Sequence, residues 1–265
     1  PNNTKHVMYV WLDALINYLS AIGYPDKKYK KFWPANVHII GKDIIRFHAV
    51  YWPAFLLAAD IEPPKRIFAH GWWTNEGKKI SKSLGNVIDP NEIIKVYGID
   101  TLRFFLLREV PFGNDGDFSK KSLQRRMNND LANDLGNLVQ RVLTIINKNL
   151  DGKLSKIKQI KENDKKIYEY PEELLKNIEK NYEKQEFHKV IENIWKLISK
   201  ANKYVDESAP WQLIKDDRGR AGDVLNILVI IIAKIAIFLA PIMPGISENI
   251  LNKIGLSIKN LTMED

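Results

Sequence analysis

Cysteine is absent from the 265 residues. That excludes a disulfide framework and any thiolate metal site within the chain. No positively charged, then apolar, leader of the secretory type is visible, so a cytoplasmic protein is expected. Long uninterrupted apolar runs are missing as well. The best candidate, Val224 to Met243, is interrupted by Asn226 and Lys234 and closed by Pro241 and Pro244. A buried bundle helix is expected there, not a membrane span. What the chain has in excess is positive charge: 40 Lys and Arg against 32 Asp and Glu, a net +8. That balance favours a polyanionic partner. The 45% hydrophobic fraction allows a true core, and the length suits one large domain or two ordinary ones.

The chemistry concentrates in Lys79-Ile80-Ser81-Lys82-Ser83, set between Gly77 and Gly85. Arg66 to Thr74 before it is apolar and aromatic enough for a strand, and Asn75-Glu76-Gly77 forms a tight turn. After it, Asp89-Pro90-Asn91-Glu92 combines an N-cap, a first-turn proline and an early acid, so a helix starts there. Two ammonium groups and two hydroxyls on a loop tethered at both ends suit a polyphosphate, because a lysine can follow phosphate charge as it moves. A solvated lysine-rich turn is the other reading of the same residues.

Upstream, Val7 to Leu12 is a continuous apolar run, expected as a strand buried on both faces. Asp13-Ala14 opens a helix, Leu15 to Ile22, ended by Gly23. Tyr24 to Trp33 is basic, aromatic and irregular. Val37 to Ile40 is the next strand. Gly41-Lys42-Asp43 turns sharply into a helix from Ile44 to Ala59. This alternation predicts a parallel α/β sheet with ligands at the carboxyl ends of its strands. The turns after Leu12 and after Ile40 then face one site. Trp11, Ala14, Leu15, Tyr18, Asp43, Ile44, His48 and Trp52 fall there. His48 and Trp52, four apart, share a helical face. Together they can build an aromatic pocket with one carboxylate and one imidazole, a setting that favours a polarizable thioether. The same spacing also suits an ordinary core.

Pro90 to Tyr97 is a short helix capped by Gly98, and another follows from Asp100. Pro111 to Asp117 breaks the pattern. It divides the chain into an α/β part, 1–117, and an all-helical part, 118–265. In the latter, Leu123, Met127, Leu131, Leu135, Leu138 and Val142 keep three-to-four spacing, with Asn137 and Arg141 off that stripe. Asp151-Gly152 ends this helix. Lys153 to Lys166 is a lysine-dense linker expected to be solvated. Further helices are expected at Pro171 to Tyr182, Phe187 to Val205, Val224 to Ala240 and Ile246 to Ile254. Antiparallel helices with a basic rim suit RNA, whose splayed bases stack on exposed aromatics. Trp211, after the turn at Ser208-Ala209-Pro210, fits either a cap over the bundle core or such a stacking surface.

The string Lys79 to Ser83 resembles the KMSKS signature of class I aminoacyl-tRNA synthetases. Its flanks, Phe68-Ala69-His70-Gly71-Trp72 and Leu84-Gly85-Asn86-Val87-Ile88, are similar to that family too. Tyr9 to Tyr18, and His38 to His48 followed by Trp52-Pro53-Ala54, resemble the two methionine-binding segments of the methionyl-tRNA synthetase family. Gly136 to Arg141 and Ala201 to Trp211 resemble its two anticodon-reading segments. The resemblance implies the second half of a Rossmann-type catalytic fold followed by an anticodon-binding helix bundle. It implies ATP with Mg2+, for which no ligands are legible and no metal residues are assigned. It assigns Lys79 and Lys82 to catalysis, and Lys79, Ser81, Lys82, Ser83, Asp43, His70 and Gly71 to ATP. It assigns Trp11, Ala14, Leu15, Tyr18, Asp43, Ile44, His48 and Trp52 to methionine, and Asn137, Arg141 and Trp211 to the CAU anticodon of tRNA(Met).

The family's second signature, His-x-Gly-His, is not formed by His6, His38, His48, His70 or His188. The expectation is therefore a carboxyl-terminal part of the enzyme, without the upstream half of its catalytic domain and inactive alone. Two alternatives stand beside it. One is a synthetase of the same class for leucine, isoleucine or valine; the other is a non-catalytic fragment that binds only the tRNA anticodon.

Overall fold

Strand and helix do alternate in the first third of the chain, but the strands are short. In the computed structural model, which describes residues 3–81, 83 and 85–257, β1 (His38–Gly41) and β2 (Ile67–His70) pair in parallel. His38 lies opposite Ile67, and Gly41 opposite His70. Helix α1 (Trp11–Ser20) buries Leu15 and Leu19, four residues apart and so on one face. These two pack with Trp33, Trp52 and Leu56 in a small aromatic-rich cluster.

Three expectations are corrected here. Val7 to Leu12 is not a buried strand: Val7 is 91% exposed, Val10 is 59% exposed, and the helix already begins at Trp11. No strand pairs with this run among the described residues, and a strand without a ladder leaves its backbone groups unpaired. The helix expected from Ile44 to Ala59 is composite, with a 3-10 turn at Lys42–Ile44, a π turn at Phe47–Tyr51 and then α2 (Trp52–Ala58). Pro53 has no N–H to return to the carbonyl four residues back, and the wide turn precedes it. The single strand expected over Arg66 to Thr74 is split into β2 and β3 (Trp73–Asn75). The chain breaks at Gly71, where a Cβ would collide with the Asn114 carbonyl.

Packing divides the chain into two compact units, residues 1–73 with 113–116 and residues 74–112 with 117–265. The boundary expected at 117/118 lies inside β5 (Gly116–Phe118). In the second unit, Thr74 and Asn75 pair with Lys79 and Lys78 of β4 (Lys78–Lys79). Glu76 and Gly77 form the two-residue loop between them with φ of 51° and 75°, the primed-turn geometry that suits a hairpin. Asp89 caps α3 (Pro90–Tyr97) by accepting from the Asn91 N–H, as expected. From α4 (Ile99–Arg108), Asp100 accepts the Ile246 N–H at 2.6 Å, and Arg103 donates to the carbonyls of Pro241 and Ile242. One helix thus serves both sides of a distant helix–helix turn with the matching charge.

The remaining helices build the main core. α5 (Lys120–Arg126), a π segment at Met127–Gly136 and α6 (Asn137–Leu150) run on from one another. Leu123, Met127, Leu131 and Leu135 recur every four residues, a spacing that drifts ~40° per step around a 3.6-residue helix. The wider π turn keeps that stripe on one face. α7 (Glu162–Tyr168), α8 (Tyr170–Glu183), α9 (Phe187–Ser208), α10 (Pro210–Asp216), α11 (Arg218–Leu239) and α12 (Pro244–Lys253) complete the set. α11 is long and apolar enough to cross a membrane, but Leu228, Ile231 and Ile235 along it are fully buried within the bundle.

The lysine-dense segment is solvated as expected, with Lys153, Lys156, Lys158, Lys161, Lys165 and Lys166 all exposed, but it is tied down between them. It is not a free linker, because the Lys158 and Gln159 N–H groups donate to Asp223 and the Asn226 amide donates to the Ser155 carbonyl. Asp164 within it is fully buried and receives Arg220, the Tyr204 hydroxyl and the Lys161 N–H. Burial alone would raise this carboxyl, but Arg220, Tyr204 and the Lys161 N–H together hold it below the usual carboxylate range. The lysines are solvated, as their number announced; the single buried aspartate among them ties the run to Arg220 and Tyr204.

Candidate functional site

The π turn sets His48 inward, 2% exposed. Its Nδ1 lies 3.0 Å from the Ile44 carbonyl, and its Nε2 lies 2.9 Å from the Tyr18 hydroxyl. A carbonyl only accepts, so Nδ1 carries the hydrogen in the neutral ring. Nε2 then accepts, and Tyr18 donates. Trp11 meets His48 edge-on at 6.2 Å and stacks flat on Phe47 at 3.8 Å. Tyr18 also lies 6.2 Å from Trp52. The structure therefore brings Trp11, Tyr18, Ile44, His48 and Trp52 together. Leu15 and Trp52, each 1% exposed, back this group as core. Ala14 and Asp43 lie on the surface, the Asp43 carboxylate lying beside Gly41. Burial raises the Tyr18 phenol above its ordinary value.

Sequence reasoning missed Phe47, although an aromatic one residue before His48 was the available signal. It also missed a polar group beyond β1. Lys42 donates to Asp115 at 2.6 Å and lies 4.3 Å from the Trp72 ring, while Asp115 also accepts the Trp72 N–H. The Lys42 hydrogen bond and then the Trp72 N–H pull the Asp115 carboxyl down. His70 Nδ1 lies 2.9 Å from the Gly71 carbonyl, and Gly71 packs on the backbone at Asn114 and Asp115.

In the second unit, Lys79 is exposed at the end of β4. Ser81 and Ser83 share a hydroxyl hydrogen bond of 2.6 Å, and the Ser83 N–H donates to the Ser81 Oγ. Lys82 lies outside the described residues. Asn86 organises the loop: its Oδ1 accepts the Ser81 N–H, its Nδ2 donates to the Lys79 carbonyl, and its own carbonyl accepts from Asn75. Asp117 accepts the Gly77 N–H at 2.7 Å, tethering the hairpin turn. Neither residue was singled out by sequence, because a lone Asn or Asp in a loop has no periodicity.

On the bundle, Arg141 donates to Asp206 at 2.6 Å, and its guanidinium lies 5.6 Å from the Trp211 ring centre. Trp211 is 45% exposed and so does not cap the core. Asn137, one turn before Arg141 on the same helix, is exposed. Among the described residues no cluster of His, Asp or Glu is placed to hold a metal ion.

The family described as "tRNA synthetases class I (M)" matches residues 1–143, and "Anticodon-binding domain of tRNA ligase" matches residues 164–263. The chain is 52% identical over 97% of its length to a protein of Rickettsia felis named methionine--tRNA ligase, of which it covers 51%. It is 47% identical over its whole length to the protein of that name from Caldanaerobacter subterraneus subsp. tengcongensis, of which it covers 42%. Among solved structures, Mycobacterium tuberculosis methionyl-tRNA synthetase in complex with methionyl-adenylate matches with a TM-score of 0.91 at 43% identity. That match covers 98% of this chain and 52% of the other. The chain spans about half the length of the curated relatives it matches. A short parallel sheet followed by a helix bundle, with these matches, defines a class I tRNA synthetase fold. The chain belongs to the M family of that class.

Proposed function

We propose that the protein containing this chain is a methionine–tRNA ligase. It joins methionine to ATP, releases pyrophosphate, and moves the methionyl group to tRNA(Met). The single observation that supports this best is the joining of Trp11, Tyr18 and His48 in one aromatic group beside β1, a surround suited to a thioether. The family match and the names of the relatives agree with it. His48 is oriented by the Ile44 carbonyl and holds Tyr18 in place. Ala14 and Ile44 complete the wall, with Leu15 and Trp52 behind it. Asp43, His70 and Gly71 lie near the ends of β1 and β2, where the class binds nucleotide.

Little covalent chemistry falls to such an enzyme. Positioning and charge stabilisation of the in-line displacement at the α-phosphate carry the rate. We assign Lys79 and Lys82 to that charge, with Ser81 and Ser83 beside them and Mg2+ arriving with ATP. Asn137, Arg141 and Trp211 read the CAU anticodon, with Trp211 stacking on a base. The protein works in the cytoplasm.

The test is ATP–pyrophosphate exchange by the full-length protein over a panel of amino acids. Methionine alone should support exchange; leucine, isoleucine or valine in its place would refute the assignment. Lys82→Ala should lower methionine-dependent exchange about a hundredfold or more, the scale of one preorganised charge contact. An unchanged rate would take the loop out of the mechanism. Titrating salt against tRNA with a CAU or an altered anticodon separates specific reading from general basic attraction.

A further inference from the structure

The segment 153–161 carries four lysines and no acidic residue. It forms neither helix nor strand, yet it lies fixed along the bundle. Leu154, Ile157 and Ile160, every third residue, are half-buried, and Leu154 and Ile157 pack on the main core. Two of every three side chains therefore face solvent, where a β-strand would present one of two. Lys153, Lys156, Lys158 and Lys161 fill those outer positions. The backbone is held at three points. Asn226 donates to the Ser155 carbonyl at 2.7 Å, Asp223 accepts the Lys158 N–H at 2.8 Å, and Asp164 accepts the Lys161 N–H at 2.7 Å.

The acids nearest this ribbon are engaged elsewhere. Asp223 serves backbone N–H groups, and Asp164 serves Arg220 and Tyr204. Lys165, just beyond, pairs with Glu162 at 2.9 Å. Among the described residues, Lys153, Lys156, Lys158 and Lys161 have no ion-pair partner. Ordering a chain costs about 1–2 kcal/mol per residue, and like charges held along it repel one another. A polyanion lying on the ribbon removes that repulsion.

The position of the ribbon says which polyanion. At one end, Lys161 lines a cavity of about 500 Å³ with Tyr204, Glu207, Ser208 and Leu213. Glu207 follows Asp206, the partner of Arg141, and Leu213 shares α10 with Trp211. At the other end, Lys153 follows α6, which carries Asn137 and Arg141. A lipid surface also attracts lysines, but the apolar residues of this ribbon turn toward the bundle and its neighbours are the proposed base-reading groups.

We propose that the ribbon is a phosphate track for tRNA, carrying the backbone that flanks the bases held at Arg141 and Trp211. Lys153, Lys156, Lys158 and Lys161 neutralise phosphates and read no base. The identity of the RNA rests on the ligase reading; the track itself does not.

The test uses the full-length protein with these four lysines replaced together by Gln, and Lys165→Gln as the ion-paired control. Binding of tRNA with a CAU or an altered anticodon is titrated across salt. The fourfold variant should lose about tenfold or more in affinity for both tRNAs near 0.1 M salt, and its slope of log affinity on log salt should flatten by about 3, ~0.7 for each lost contact. Preference for CAU should stay as in the parent, because phosphate contacts carry no sequence information. Arg at the same four positions should restore the slope, and Lys165→Gln should leave it unmoved. Methionine-dependent exchange without tRNA should be unchanged in every variant, which reports an intact fold. An unchanged slope, a loss confined to the CAU tRNA, or the same flattening from Lys165→Gln would overturn the proposal. So would lysine-dependent binding to phosphatidylserine vesicles with tRNA affinity unaltered, which would give the ribbon to a membrane surface. The two readings fail separately: a parent without CAU preference refutes the anticodon face, while the slope alone decides the track.

Discussion

The two compact units treat apolar sequence in opposite ways. In the second, Ile194, Ile198, Leu228 and Ile231 are 0% exposed within one continuous core. In the first, the run Val7 to Val10 is 59% to 91% exposed, and the core is the small cluster of Leu15, Leu19, Trp33, Trp52 and Leu56. A helix satisfies its own backbone, so its spacing alone names the face it buries. A strand needs a neighbour's N–H and C=O groups, which its own sequence does not mention. Identical hydrophobicity therefore carries different information in the two units.

The largest effect should come from the bundle's buried ion group. Asp164→Ala leaves Arg220 charged and Tyr204 unpaired in the interior. Chemical unfolding should show a loss of about 3–5 kcal/mol. A loss under about 1 kcal/mol would mean that the segment is as loose as its lysines suggest. Next, Ile194→Ala should cost about 2–5 kcal/mol. By contrast, Val7→Ser should stay within about 0.5 kcal/mol. Equal costs at the two positions would break the comparison outright.

Acid sharpens it further. The Asp164 carboxyl is depressed, so the folded chain binds fewer protons and the group's contribution is complete above the ordinary carboxylate value. It fades as pH falls through the depressed value. The stability gap between the parent and Asp164→Asn should therefore narrow only in that low range. His38 is also depressed, by burial first and His48 second. Its contribution starts to fade at a higher pH, below about 6.5. The difference between parent and His38→Gln should change there. Thermal melts of the three proteins across pH check both windows, and a single shared window would contradict the assignment of these groups. Between the extremes set by Asp164 and Val7, Tyr18→Phe removes one hydrogen bond to His48 and should cost about 1 kcal/mol.

Much of the bundle was legible. The helix expected at Phe187 to Val205 is present, and Val190, Ile191, Ile194, Ile198 and Ala201, at helical spacing along it, are fully buried. The caps were legible as well, where Asp89 and Gly98 and the Asp151-Gly152 pair carry local signals that need no partner. The π segment at Met127–Gly136 was hidden in the four-residue spacing, which reads equally well as a helix of ordinary pitch. At the candidate site, Trp11, Tyr18 and His48 were named from order alone and are brought together. Asn86, Asp115 and Asp117 were not, because each acts through hydrogen bonds to backbone groups or side chains outside its own turn. Pairings of that kind leave no periodic trace.

The central claim is that the aromatic group beside β1 receives a thioether side chain. Calorimetric titration of L-methionine and L-leucine into the full-length protein and into its Trp11→Ala variant tests it most directly. Methionine should bind the parent well ahead of leucine and lose about tenfold or more in the variant. Leucine binding as tightly as methionine, or methionine indifferent to the loss of Trp11, would contradict it.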